Sequence, residues 1–93
     1  MKGVTIRQGA IMKFDYEHDG VIEEGHEFVL ADVYDSECIF QIICVKGYHK
    51  GNLEGYILRE KDIISNEITY EYLVKELNRI FINILWETFL IIN

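Results

Sequence analysis

The chain of 93 residues is 49% hydrophobic and carries sixteen acidic residues against nine Lys and Arg, which gives a net charge of −7. The hydrophobic fraction excludes a disordered chain, and the absence of an apolar run of about 18 residues argues against a membrane span. The excess of acid disfavours direct binding of nucleic acid, whose phosphates it would repel. The length predicts a single domain over residues 1–93.

The first third of the chain has the pattern of short strands rather than that of a secretion signal. Strands are predicted at residues 4–6 and 10–16, and Arg7 and Gln8 interrupt the segment where a signal peptide would need its apolar core. His18-Asp19-Gly20 is a turn signal, after which a strand pattern resumes over residues 27–34. We therefore expect a cytoplasmic protein that begins with strands joined by short turns.

The next predicted strand, residues 37–45, is apolar on both faces, which is typical of a central strand covered on both sides. Its two cysteines, Cys38 and Cys44, are six residues apart, so an extended strand would separate their Cα atoms by roughly 20 Å. This distance is too long for a disulfide, and the spacing fits no zinc motif. We expect two buried free thiols and a reducing compartment.

After a loop at 47–51 and a strand at 53–59, the C-terminal quarter of the chain predicts a long helix over residues 69–92, with Thr69 as its N-cap. Ten of the thirteen residues from 80 to 92 are apolar, so this part of the helix would need cover on all sides. Ile82, Trp86 and Phe89 form a candidate dimer interface on its back. The apolar residues of the main stripe are Tyr70, Leu73, Val74, Leu77, Ile80, Phe81, Ile84 and Leu85.

Together these elements predict an α+β fold, with an antiparallel sheet of four or five strands and the long C-terminal helix packed on one face.

The acidic residues are unevenly distributed along the chain. Residues 14 to 45 contain nine of them and no Lys or Arg. Such a surface attracts basic partners over long distances, whereas the simpler interpretation is a solvated surface that keeps the protein soluble. The nine residues that we assign to a partner-binding face are Asp15, Glu17, Asp19, Glu23, Glu24, Glu27, Asp32, Asp35 and Glu37.

Part of this stretch, from Asp15 to Glu23, resembles the opening of an EF-hand calcium loop. Position twelve of such a loop should be a bidentate Glu but is His26 here, and the flanking residues have strand patterns. We therefore predict an acidic hairpin turn and no metal site.

The three histidines are scattered along the chain, and we expect them to be single surface residues, although they also allow two enzymatic alternatives. A metal-free nuclease would use His26 and His49 as acid and base with Lys50 on phosphate, but the carboxylates nearby would repel that substrate. A small metal-binding or hydrolytic enzyme would use His18, His26 and the carboxylates around them. The chain contains no catalytic motif of a known class, so we expect no catalytic residues and no cofactor.

The small size, acidic charge, free cysteines, α+β pattern and lack of enzyme motifs resemble the immunity proteins of bacterial polymorphic-toxin systems, including those of contact-dependent growth inhibition. The resemblance implies a cytoplasmic antitoxin that binds and neutralises a cognate basic toxin domain, often a nuclease, by blocking its active or substrate-binding face. One further alternative is a structural or phage-encoded homo-oligomer built through Trp86 and its neighbours.

Overall fold

The computed structural model describes residues 4–93; residues 1–3, which belong to the segment used above to argue against a signal peptide, lie outside the described residues. Eight strands and one helix are assigned within this range. They are β1 (Thr5–Arg7), β2 (Ile11–His18), β3 (Val21–Glu23), β4 (Glu27–Ala31), β5 (Cys38–Lys46), β6 (Leu53–Leu58), β7 (Glu67–Thr69), α1 (Tyr70–Ile80) and β8 (Ile84–Ile92).

The main sheet is antiparallel and has six strands: β2 pairs with β3, β4 and β8, β4 pairs with β5, and β5 pairs with β6. Strands β1 and β7 form a separate two-stranded ribbon. One edge of β2 pairs first with β4, through residues 11–13, and then with β3, through residues 16–18. The pairing register shifts by one residue between them, so β3 and β4 follow each other along the same edge of β2. The predicted α+β class and antiparallel sheet are confirmed, and the sheet has six strands rather than the four or five expected.

The predicted long helix is wrong, because α1 ends at Ile80 and the residues from Ile84 onward form β8. The N-cap is as expected: the Thr69 hydroxyl accepts a hydrogen bond from the Tyr72 N–H at 3.1 Å. The helix is followed by Asn83 with a φ of 50°, a left-handed conformation that Asn tolerates and a continuing helix does not allow. Nine of the thirteen residues from 80 to 92 are β-branched or aromatic, and these side chains favour a strand paired with β2.

Helix α1 closes one edge of the sheet through its side chains. The Glu76 carboxylate accepts the Leu58 N–H at 2.7 Å, and the Tyr72 hydroxyl donates to the Leu58 carbonyl at 2.6 Å. Arg79 donates to the Tyr56 carbonyl at 2.7 Å and to Glu76 at 3.1 Å. These bonds satisfy backbone groups of β6 that would otherwise be open to pairing with another chain.

The core lies between α1 and the sheet and is rich in aromatic rings. Phe14 stacks on Phe28 with ring centroids 4.9 Å apart and meets Phe81 edge to face at 5.0 Å. Leu77 is fully buried in the same cluster. The central position of β5, between β4 and β6, is as predicted, and Cys38 and Cys44 are buried free thiols. Among residues 4–93, no helix is long and apolar enough to cross a membrane.

Candidate functional site

The site lies where the β2–β3 hairpin meets the turn between β5 and β6. Asp19 and Gly20 connect β2 to β3 with φ angles of 51° and 78°, the left-handed pair that a two-residue hairpin turn requires. The segment that resembles an EF-hand loop is therefore a hairpin, as its flanking strand patterns indicated.

A bulge between β3 and β4 turns His26 toward the interior. Residues 24–26 lie opposite only two residues of β2, Phe14 and Asp15, so the strand carries one unpaired residue at this point. A bulge of this kind bends a strand and changes the direction of its side chains, and bulges are common next to functional sites. The result is a histidine whose side chain is only 1% exposed.

The two ring nitrogens of His26 lack good hydrogen-bond partners. Its Nε2 lies 3.4 Å from Glu23 Oε2, which is long for a hydrogen bond to a carboxylate. Its Nδ1 is buried and has no hydrogen-bond partner among the described residues. Gly47, at a φ of 111°, lies against this nitrogen so closely that a Cβ at position 47 would overlap with it. The contact therefore requires glycine at position 47.

His49 comes from the β5–β6 turn and completes a three-residue cluster. Its ring stacks on that of His26 with centroids 4.8 Å apart, and its Nε2 lies 3.7 Å from Glu23 Oε1. One ligand atom from each of Glu23, His26 and His49 lies within 4.8 Å of the other two. This is a set of two imidazoles and one carboxylate that could hold a metal ion.

Two further residues approach the opposite nitrogen of His49. Its Nδ1 lies 3.4 Å from the Tyr16 hydroxyl and 3.6 Å from Glu54 Oε1, an oxygen that is buried and unpartnered within residues 4–93. Burial, followed by the charges of Glu54 and Glu23, raises the pKa of Tyr16 to about 12. The Tyr16 hydroxyl therefore keeps its proton at neutral pH and can donate it to a nitrogen or a carboxylate.

A cleft of about 290 Å³ opens beside this cluster. Glu17 and Glu54 lie on its walls, and Tyr16, Phe81 and Ile82 provide apolar surface. Glu17 also accepts a long hydrogen bond of 3.3 Å from the Asn83 side chain. Two carboxylates on an apolar lining suit the head and the stem of a Lys or Arg side chain.

The nine acidic residues predicted to form one partner-binding face are divided between two regions. The β2–β3 hairpin and the residues next to it carry Asp15, Glu17, Asp19, Glu23, Glu24 and Glu27, of which Glu27 pairs with Lys46 at 3.3 Å. The remaining three, Asp32, Asp35 and Glu37, lie in the β4–β5 connection, which the antiparallel register places at the other end of β4.

The expectation of single surface histidines is wrong for His26, which is buried, and the histidines are also grouped differently from the alternative pair of His18 and His26. His18 is exposed and lies 3.3 Å from Asp19 at the hairpin turn, whereas His26 contacts His49. His26 and His49, the pair considered for a nuclease, are thus close in space. Lys50, which would have bound phosphate in that hypothesis, is exposed on the turn. Glu54, Tyr16 and Gly47 were not predicted, because nothing in their local sequence marks them.

The candidate dimer interface does not form one helix face, since Ile82 lies between α1 and β8 and the other two residues are in β8. Ile82 is 67% exposed. Trp86 and Phe89 are half-buried, and Phe89 stacks on Phe14 with centroids 5.8 Å apart. Ile82 is thus the most exposed of the three, and their role in a dimer stays a prediction.

No protein-family model, no curated protein and no solved structure matches the chain. Any function must therefore be argued from the geometry described above.

Proposed function

We propose that this chain is a cytoplasmic immunity protein that binds and neutralises a basic toxin domain through its hairpin end. The observation that supports this function is the acidic cleft beside the β2–β3 hairpin. Glu17 and Glu54 on its walls would bind a Lys or Arg of the toxin, and Asp19 and Glu24, both exposed, would steer the approach. A nuclease is the favoured target because its substrate-binding face is basic.

Exposed apolar side chains near the cleft support a protein partner rather than a small cation. Tyr48 is 92% exposed beside His49, Val21 is 60% exposed at the hairpin turn, and Ile82 borders the cleft. Aromatic and apolar anchors surrounded by charged residues are typical of residues that contribute most of the binding energy in protein complexes.

The test first asks whether the adjacent reading frame encodes a basic C-terminal domain, and an adjacent frame without one counts against the proposal. Where the domain is present, it is expressed in a bacterial host with and without this chain. We expect that the domain alone stops growth and that co-expression restores it. The double variant Asp19→Lys with Glu24→Lys should lose protection, slow the association rate and flatten its dependence on salt.

A matched control is the double variant Asp32→Lys with Glu37→Lys, which changes the net charge by the same amount in the β4–β5 connection. It should bind and protect nearly as well as the wild type, because these residues lie away from the cleft. Equal loss in both variants would indicate a general charge effect, and full protection by both would refute binding through the hairpin end.

A further inference from the structure

We infer that Glu23, His26 and His49 form a binding site for a divalent transition metal ion of the zinc type. This inference goes beyond the proposed toxin binding and does not depend on it, because its three ligands are not the groups proposed to contact the toxin. Glu54 alone takes part in both proposals, as a wall of the cleft and as an outer partner of His49.

The distances between the three side chains fit metal coordination better than hydrogen bonding. A hydrogen bond from a protonated imidazole to a carboxylate is about 2.7 to 2.9 Å long, whereas Glu23 lies 3.4 Å from His26 Nε2 and 3.7 Å from His49 Nε2. Zinc binds imidazole nitrogen and carboxylate oxygen at about 2.0 to 2.2 Å, which places neighbouring ligand atoms of a tetrahedral site roughly 3.3 to 3.6 Å apart. The two carboxylate–imidazole separations, from Glu23 Oε2 to His26 and from Glu23 Oε1 to His49, are close to this value. One ligand atom from each of the three residues lies within 4.8 Å of the other two.

The outer partners of His49 also match those of a metal ligand. A histidine that binds a metal through one nitrogen usually directs its other N–H to a carboxylate or a hydroxyl, which fixes the orientation of the ring. If Nε2 of His49 binds the ion, its Nδ1–H points toward Glu54 Oε1 at 3.6 Å and the Tyr16 hydroxyl at 3.4 Å. A small rotation of the ring would convert the first of these contacts into a hydrogen bond and satisfy an orphaned buried oxygen.

The charge and chemistry of the cluster select the kind of ion. Two neutral imidazoles with the carboxylates of Glu23 and Glu54 carry two negative charges, which a divalent cation would neutralise. Calcium and magnesium prefer sites made of oxygen ligands, whereas imidazole suits zinc, copper and nickel. Three protein ligands leave a fourth position for an external ligand, as in zinc sites that are not closed.

The experiment titrates the metal-depleted full chain with Zn²⁺ by calorimetry and with Co²⁺ by visible absorption, which reports coordination geometry and ligand type. We expect one equivalent of metal per chain, a tetrahedral Co²⁺ spectrum without thiolate bands, displacement of Co²⁺ by Zn²⁺, and no competition from Ca²⁺. Zn²⁺ should also raise the Tm of the wild type, because it binds only the folded state.

Two polar, uncharged replacements of half-buried ligands, Glu23→Gln and His49→Gln, should each weaken Zn²⁺ binding by more than about 100-fold, beyond the 10- to 100-fold typical of an outer partner. Glu54→Gln should weaken it by about 10-fold. The controls are Glu24→Gln and His18→Gln, which have the same chemistry outside the cluster and should bind like the wild type. Circular dichroism without metal verifies that each variant is folded.

The inference is overturned if the folded wild type binds no metal, or if it binds several equivalents weakly and with no change in His49→Gln. Loss of binding in His18→Gln would also overturn it, because the ion would then be at the hairpin surface. The charge-reversed hairpin variant Asp19→Lys with Glu24→Lys should still bind Zn²⁺, so failure of the toxin-binding proposal and failure of the metal site give different results.

Discussion

Two regions of the sheet contain carboxylates shielded from solvent, fully in Glu76 and partly in Glu23 and Glu54, but only the first region pairs its carboxylate well. At the β6 edge, Glu76 accepts hydrogen bonds of 2.7 Å from Leu58 and of 3.1 and 3.2 Å from Arg79. At the hairpin end, the partners described for Glu23 and Glu54 are histidines 3.4 to 3.7 Å away. Buried polar groups in proteins are generally satisfied, and exceptions need an explanation. The first cluster, of Glu76, Leu58 and Arg79, stabilises the fold. The second, of Glu23, Glu54 and the two histidines, is arranged for a ligand.

The largest loss of stability is expected when Leu77, the apolar side chain beneath the first cluster, is truncated. Leu77 is 0% exposed, so Leu77→Ala should reduce the free energy of unfolding by about 2 to 5 kcal/mol through lost burial and a cavity. Urea unfolding followed by circular dichroism measures this loss. The exposed Asn78 provides a control, since Asn78→Ala should change stability by less than about 0.5 kcal/mol. A loss below about 1 kcal/mol for Leu77→Ala would contradict the packing of α1 on the sheet.

The second largest effect should come from Glu76 and should depend on pH. Burial alone would raise the pKa of Glu76, but hydrogen bonds from Arg79 and from the Leu58 N–H outweigh it and lower the pKa below its usual value of 4.5. Glu76→Gln keeps the size of the side chain but removes the charge, and we expect it to cost about 1 to 3 kcal/mol at pH 7.

The sign of the pH dependence follows from the lowered pKa. The folded state binds the Glu76 proton less readily than the unfolded state, so this contribution to stability is fully present above pH 4.5 and is lost as the pH falls below it. The difference between wild type and Glu76→Gln should therefore shrink in acid. Glu71→Gln, on the exposed first turn of α1, is the matched control. An unchanged difference at low pH would mean that the ion pair does not stabilise the fold.

The helix end was largely predictable from local sequence, because its signals are local. The Thr69 cap, the stripe through Leu73 and Leu77, and the central strand with apolar residues on both faces were all predicted and are present. The secondary structure of residues 80 to 92 was not predictable, since their composition is compatible with both a buried helix and a strand. These residues form a strand because they pair with β2, which lies some seventy residues earlier in the sequence.

The hairpin end was predictable only in part. The Asp19-Gly20 turn follows from the sequence, but His26 and His49 were expected to be single surface residues, and their meeting depends on a one-residue bulge and on the β5–β6 turn. Neither feature has a sequence signal strong enough to fix a side-chain direction. Glu54 looks like any strand residue of β6, and its role becomes visible only when His49 lies against it.

The two cysteines provide a smaller and more local comparison, because each lies in one of the two regions. Burial raises the pKa of both thiols, with Asp35 and Glu37 adding to the shift at Cys38 and a hydrogen bond with the Lys46 backbone opposing it at Cys44. Both should therefore resist alkylation in the native protein. Cys44 should nevertheless react faster than Cys38, since the loosely paired hairpin end should open more often.

Alkylation followed by mass spectrometry of the peptides gives both rates, and the unfolded protein gives the reference rate. If the metal site exists, Zn²⁺ should slow the labelling of Cys44 and leave that of Cys38 unchanged. Faster labelling of Cys38 would reverse the proposed order of local stability.

The smallest effect is expected for the carboxylates of the hairpin end in the metal-free protein. Glu23→Gln and Glu54→Gln remove no short hydrogen bond, and each reduces repulsion between the two negative charges that flank His49. We expect the free energy of unfolding to change by less than about 0.5 kcal/mol, or to increase slightly. The contrast with Glu76→Gln would then show that burial of a carboxylate stabilises this fold only where its hydrogen bonds are made.

The same measurement with Zn²⁺ at 100 times its dissociation constant should separate the variants, because ligand binding then stabilises the wild type by about 2.7 kcal/mol. Glu23→Gln should gain almost none of this, so the cost of the substitution should appear only when the metal is present. A cost of several kcal/mol without metal would instead make Glu23 a structural residue like Glu76.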